Sequence, residues 1–142
     1  MKRLLLSALL VLVTKAAVGG IFFGLLYAGA ESSPVFRPEG QEAHGVAMLG
    51  YVAWALAFMF LFSRGPERRG WREGLRFGIV VWLFYFVPMI LGIYGYFAVD
   101  KAWACAALAG GLAEALACGV VASLVYRKPE TPSPSQVQPI PL

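Results

Sequence analysis

Four long apolar runs, separated by short polar segments, constrain this chain most. They cover Leu4 to Ala28, Gly45 to Phe62, about Leu75 to Val99, and Ala102 to Tyr126. Each is long enough to cross a hydrocarbon core of about 30 Å at about 1.5 Å per residue. The second is the shortest and is expected to stand nearly upright. None alternates strictly as a barrel strand would, so helices are the expected spanning structure. The expected fold is an all-α membrane protein, with four transmembrane helices in an antiparallel bundle and residues 1–128 as the membrane domain. The other residues add up to no second domain. Of 142 residues, 59% are hydrophobic and 14% charged, whereas soluble domains carry about 25% charge. That balance excludes most soluble enzymes and disordered proteins, and two cysteines are too few for a disulfide scaffold.

Charge sets the expected orientation. Lys2 and Arg3 precede span one, five arginines (64, 68, 69, 72 and 76) cluster between or beside spans two and three, and Arg127 and Lys128 follow span four. Only Arg37 and Lys101 fall on the opposite side, and Lys15 alone lies within a span. By the positive-inside rule both termini and the middle loop are cytoplasmic. The net charge of +4 follows from this topology and calls for no nucleic-acid partner, although an anionic lipid surface would favour the basic loop. Trp71 and Tyr126 fall at the inner boundary; Tyr27, Tyr94, Tyr96 and Trp103 fall near the outer one, as an aromatic belt does. Trp54 and Trp82 lie deeper, as packing or lipid-facing groups.

The start Met1-Lys2-Arg3, with Ala28-Gly29-Ala30 before Glu31, has the outline of a secretory signal. Its apolar run of about 24 residues exceeds the about 7–15 of a signal core, and Lys15 interrupts it. An uncleaved span is expected.

Lys15 and Glu114 are the only formal charges deep inside spans. Lys15 lies about 16 Å from the inner boundary and Glu114 about 18 Å from the same boundary. Antiparallel helices would bring both to one depth near the midplane. A charge there costs at least about 2.5–3.5 kcal/mol, so each needs a partner. The simplest expectation is an ion pair that fixes the register of spans one and four. The sharper readings are a proton or ion relay, or pairing with another subunit or a cofactor. Ser7, Thr14 and Ser123 are the only Ser or Thr on these two spans, a thin path for a relay.

Small residues recur every four positions: Ala16, Gly20, Gly24 and Ala28 on span one; Ala102, Ala106 and Gly110 in line with Glu114, Cys118 and Ala122 on span four; and a second span-four row, Ala107, Gly111, Ala115 and Gly119. Gly74 and Gly78 open span three. Such rows let backbones approach closely. The expected helix-packing positions are Ala16, Gly20, Gly24, Ala106, Gly110, Gly111 and Gly119, packing within the chain, with a partner subunit on one span-four row as the alternative. Pro88 is expected to kink span three. The stretch Trp82, Phe84, Tyr85 and Phe86 is expected to meet lipid tails, with a hydrophobic cofactor such as a carotenoid as the alternative.

His44, the only histidine, precedes span two at the outer boundary. It is either an interfacial, capping group or an axial ligand to a haem or (bacterio)chlorophyll metal. Cys105 and Cys118 are about 20 Å apart along one helix and cannot bridge. No zinc spacing, P-loop, dinucleotide fingerprint or nucleophile elbow occurs, so no catalytic set and no metal site is expected. The outer loop, residues 31–43, is net acidic and stiffened by two prolines. The cytoplasmic tail, residues 129–142, holds five of the nine prolines and is too extended to form a core alone.

The stretch Arg72-Glu73-Gly74-Leu75-Arg76-Phe77-Gly78, followed by an aromatic span with Pro88 and a glycine-rich fourth span, resembles small uncharacterised bacterial four-span integral membrane proteins over residues 4–126. The resemblance implies a bacterial inner membrane and a four-helix fold, and it brings no activity or site with it. The functional expectation is a non-catalytic accessory or structural subunit packing against larger integral membrane subunits and lipids. One version is a photosynthetic or respiratory complex, with lipid, (bacterio)chlorophyll or carotenoid on the aromatic surfaces. The alternative is a small transporter or proton conductor using Lys15 and Glu114.

Overall fold

A computed structural model describes residues 2–27, 43–65 and 70–126. The expectations for the outer loop up to 42, for Arg68 and Arg69, and for the tail lie outside these residues. The described chain is all-helical: α1 (Lys2–Tyr27), α2 (His44–Arg64), α3 (Trp71–Val81), a π-helical segment (Trp82–Phe86), α4 (Val87–Tyr96) and α5 (Lys101–Val125). The third to fifth of these run on as one span, Trp71–Tyr96, so four helices are long and apolar enough to cross a membrane. In hydrocarbon every backbone N–H and C=O must find its partner inside the chain, which helices achieve locally.

Span three begins one turn before the expected Leu75 and ends three residues before Val99. Gly70 starts it at φ 134°, a conformation that suits glycine. Glu73 in the first turn complements the positive end of the helix dipole. At the other end Phe97 is extended. Asp100 then caps α5, its carboxylate accepting from the Trp103 N–H at 2.6 Å.

α5 is the centre of the bundle. It packs against α1 on one side and α3 on another, while α2 lies on α1. Both of its small-residue rows are used within the chain. Ala107, Gly111, Ala115 and Gly119 are buried against the third span. There Gly74 and Gly119 touch backbone to backbone, and a Cβ on Gly78 would stand 2.6 Å from the Ala115 carbonyl oxygen. Gly110, Glu114, Cys118 and Ala122 are buried on the neighbouring face, towards α1.

The small row of α1 does not pack. Ala16, Gly20 and Gly24 are exposed, and nothing stands within 4 Å of a Cβ built on Gly20 or Gly24. The buried face of α1 is Ser7, Ala8, Val11 and Lys15. Each residue of a helix turns by about 100°, so a face that carries Lys15 towards α5 swings Ala16 and its row away. The buried charge, rather than the small residues, sets the rotation of α1.

Pro88 produces a wider turn. Its missing N–H leaves the Phe84 carbonyl without its usual donor, and the preceding residues wind as a π-helix, the Val87 N–H donating to the Trp82 carbonyl. The wide turn has a packing consequence. Gly74, Gly78, Trp82, Phe86 and Ile90 follow one another at four-residue steps and all but the half-buried Trp82 are buried. On a regular α-helix each such step drifts by about 40°, or about 160° over the four. The π segment takes back part of that drift and holds Phe86 and Ile90 against α5. Phe86 lies over Gly111, where a Cβ would meet its Cδ1 at 2.6 Å. The Trp82 indole N–H donates to the Leu108 carbonyl at 2.9 Å. Phe86 is therefore a core residue and not lipid-facing as expected, while the half-buried Trp82 takes the packing one of its two expected roles. Phe84, which is 83% exposed, faces outward.

The core has two parts. Ala8, Val11, Ala55, Phe58, Met59, Cys118 and Ala122 form one; Phe86, Ile90, Ala104, Ala107 and Ala115 form the other. Trp54 packs against both. α2 meets the third span through stacked rings: Phe58 on Phe77 at 4.9 Å and Phe62 on Phe77 at 5.2 Å, both edge to face.

Candidate functional site

The two charges within the long apolar helices α1 and α5 are brought together where Trp54 joins the two core clusters. The Lys15 ammonium on α1 donates to Glu114 Oε1 on α5, forming a buried ion pair. Their side chains are 8% and 1% exposed. Gly19, one turn beyond Lys15, makes room for the carboxylate: a Cβ there would stand 2.6 Å from Glu114 Oε2. One turn inward, the Cys118 thiol leans on the Val11 carbonyl at 3.7 Å.

Three aromatic rings surround the ammonium. The Lys15 nitrogen lies 4.5 Å from the Trp54 ring centroid, 5.0 Å from Tyr51 and 5.5 Å from Phe86. Tyr51 and Trp54 stand three residues apart on α2, and so share a face. Phe86 arrives from the π segment, which alone holds it at this register. Each ring offers the negative centre of its quadrupole to the cation, worth about 0.5–2 kcal/mol depending on desolvation. Trp54 also touches Phe58 at 4.9 Å and Phe86 at 6.5 Å, so the cage walls brace one another. Thus α1 supplies the cation, α5 the anion, and α2 and the third span the rings.

Tyr51 and Gly19 escaped the sequence reading, and so did the roles of Trp54 and Phe86. A depth count carries part of the signal. Trp54 is ten residues from the start of α2, about 15 Å, which matches the distance of Lys15 from the end of its own span.

The Ser and Thr hydroxyls of α1 and α5 are committed elsewhere. Ser7 donates to the Arg3 carbonyl at 2.9 Å, Thr14 to Leu10 at 2.8 Å and Ser123 to Val120 at 2.7 Å, each on its own helix. These bonds leave no described chain of Ser or Thr hydroxyls leading from Lys15 or Glu114. His44 is exposed at the first residue of α2, seven residues or about 10 Å from Tyr51 along the axis. No group of three or more His, Cys, Asp or Glu gathers as a metal site among the described residues. Cys105 is exposed and Cys118 buried, both as free thiols.

Among the expected packing residues, Gly110, Gly111 and Gly119 are buried in helix contacts and Ala106 is half-buried. Ala16, Gly20 and Gly24 are not.

No family model, curated protein or solved structure matches the chain.

Proposed function

We propose that the chain is a non-catalytic accessory or structural subunit of a larger membrane protein complex, built as an antiparallel four-helix bundle in a bacterial inner membrane with both termini cytoplasmic. The opposed order of contacts supports the bundle: Phe22, Lys15 and Val11 of α1 meet Gly110, Glu114 and Cys118 of α5 in turn. The basic residues on one side support the orientation.

One observation carries the accessory role. From His44 to Ala53 every residue of α2 is exposed among the described residues, around the full circumference. Nearly three turns of helix therefore add little to the bundle's own core, whose α2 contribution is Ala55, Phe58 and Met59. A helix half whose Val46, Met48 and Leu49 are exposed and serve no part of the cage suits contact with larger integral membrane subunits or lipid. The two charges are meanwhile paired inside the cage, and the Ser and Thr hydroxyls of α1 and α5 bond to their own helices. That arrangement weighs against a proton conductor and in favour of a static register lock.

Site-specific photo-crosslinkers at Val46 and Leu49, activated in native membranes, test the reading. Discrete adducts with a heavier protein are expected there and not at Leu124 on α5. A chain that yields lipid adducts only, and that purifies alone as a monomer in mild detergent, would overturn it.

A further inference from the structure

The cage and the carboxylate belong to three different spans from the cation they hold. Tyr51 and Trp54 come from α2, Phe86 from the π segment and Glu114 from α5. Lys15 contributes only a primary ammonium on a flexible apolar stem, entering from α1. Without that stem the remaining four side chains still present one anionic oxygen and three ring faces around a common point. This is the donor set that recognises an organic cation in a desolvated site. The gap left by removing the lysine beyond Cβ has the length of n-propylammonium.

We propose that Tyr51, Trp54, Phe86 and Glu114 form a primary-ammonium binding site, which Lys15 fills as a tethered guest and which takes a free alkylammonium ion when the tether is removed. The carboxylate supplies the charge contact, and the rings exclude water and complement the face of the cation not directed at Glu114. Gly19 keeps the second carboxylate oxygen clear of α1. The ligand class follows from these parts. A neutral group of equal size lacks the charge that the carboxylate and the ring faces attract and gains at most a hydrogen bond, and an anion is repelled by both.

The test is chemical rescue of the full-length Lys15→Ala protein in mild detergent, with n-propylammonium chloride as probe and 1-propanol as its neutral counterpart. At about ten times Kd the ammonium should raise the unfolding midpoint of the variant by about 5 °C, saturably. It should leave the wild-type protein, whose site is filled, unchanged. The rise should vanish when Glu114→Gln or Trp54→Leu is added to Lys15→Ala. An equal rise with propanol would reduce the effect to cavity filling and overturn the proposal, as would no rise with either compound. Should Lys15→Ala fail to fold, the wild-type chain labelled at lysine side-chain nitrogens decides. The Lys15 ammonium protons should be protected from exchange and moved upfield of those of Lys101 by ring currents, and that shift should shrink in Trp54→Leu. A Lys15 signal coincident with that of Lys101 would sink the cage.

Discussion

Replacing Lys15 by methionine keeps the stem and removes the charge. It isolates what the ion pair contributes. Lys15 is 7% and Glu114 1% exposed, so water cannot replace the lost ammonium at the carboxylate. Removing one member of a buried pair costs about 3–5 kcal/mol, because the other charge is left uncompensated. The three ring contacts to the ammonium are lost as well, which places the expectation in the upper half of that range. Total stabilities are about 5–15 kcal/mol, so the variant should be folded but easily unfolded. Titration with SDS in mixed micelles, followed by the fluorescence of Trp54 and Trp82, reads the loss. Adding Glu114→Leu should recover most of it, since apolar replacement of a whole buried pair is often neutral or stabilising by about 1–4 kcal/mol. Two results would refute the reasoning: Lys15→Met within about 0.5 kcal/mol of wild type, the scale of an ordinary surface change, or a double variant no more stable than the single one.

Other predictions follow from the packing. Gly78→Ala should destabilise by about 1–3 kcal/mol or more, because its new methyl group meets the Ala115 backbone, and Gly111→Ala should do so through Phe86. Gly20→Ala and Gly24→Ala, with nothing near the new Cβ, should be neutral or stabilising by up to about 1 kcal/mol through helix propensity; the same SDS titration compares all four. Asp100→Ala should cost about 0.5–2 kcal/mol by uncapping α5, with increased amide exchange at Trp103 as its local readout. A small maleimide should modify one thiol, Cys105, in the folded protein in detergent, and two after denaturation, since Cys118 is buried; intact mass counts the adducts.

The spans and the depth of the two charges were legible because both follow from counting residues along an axis. Lys15 and Glu114 could be matched by arithmetic on rise per residue. Rotation about the axis could not. The row Ala16, Gly20 and Gly24 has the spacing of a packing face, yet lies about 100° from the face that Lys15 commits to α5. The cage was hidden for the same reason, because Tyr51 and Trp54 acquire their role only when α2 is turned towards α1. Phe86 was hidden further by the π segment. A regular helix drawn through Trp82–Phe86 would have rotated it away from Gly111, and Pro88 signalled a disturbance there without its geometry. The small residues of α5 were legible as adjoining rows, since their spacing is a count along the axis, whereas which neighbour each row meets was not.

The central position of α5 has a consequence for biogenesis. Glu114 is separated from Lys15 by 99 residues, and a ribosome adding about 5–20 residues per second needs about 5–20 s to span that interval. Through that time the first helix must be held or inserted with an ammonium whose carboxylate does not yet exist. Tyr51 and Trp54 emerge well before Glu114 does. The rings on α2 can therefore shelter the cation during synthesis, as a built-in chaperone for a charge awaiting its partner.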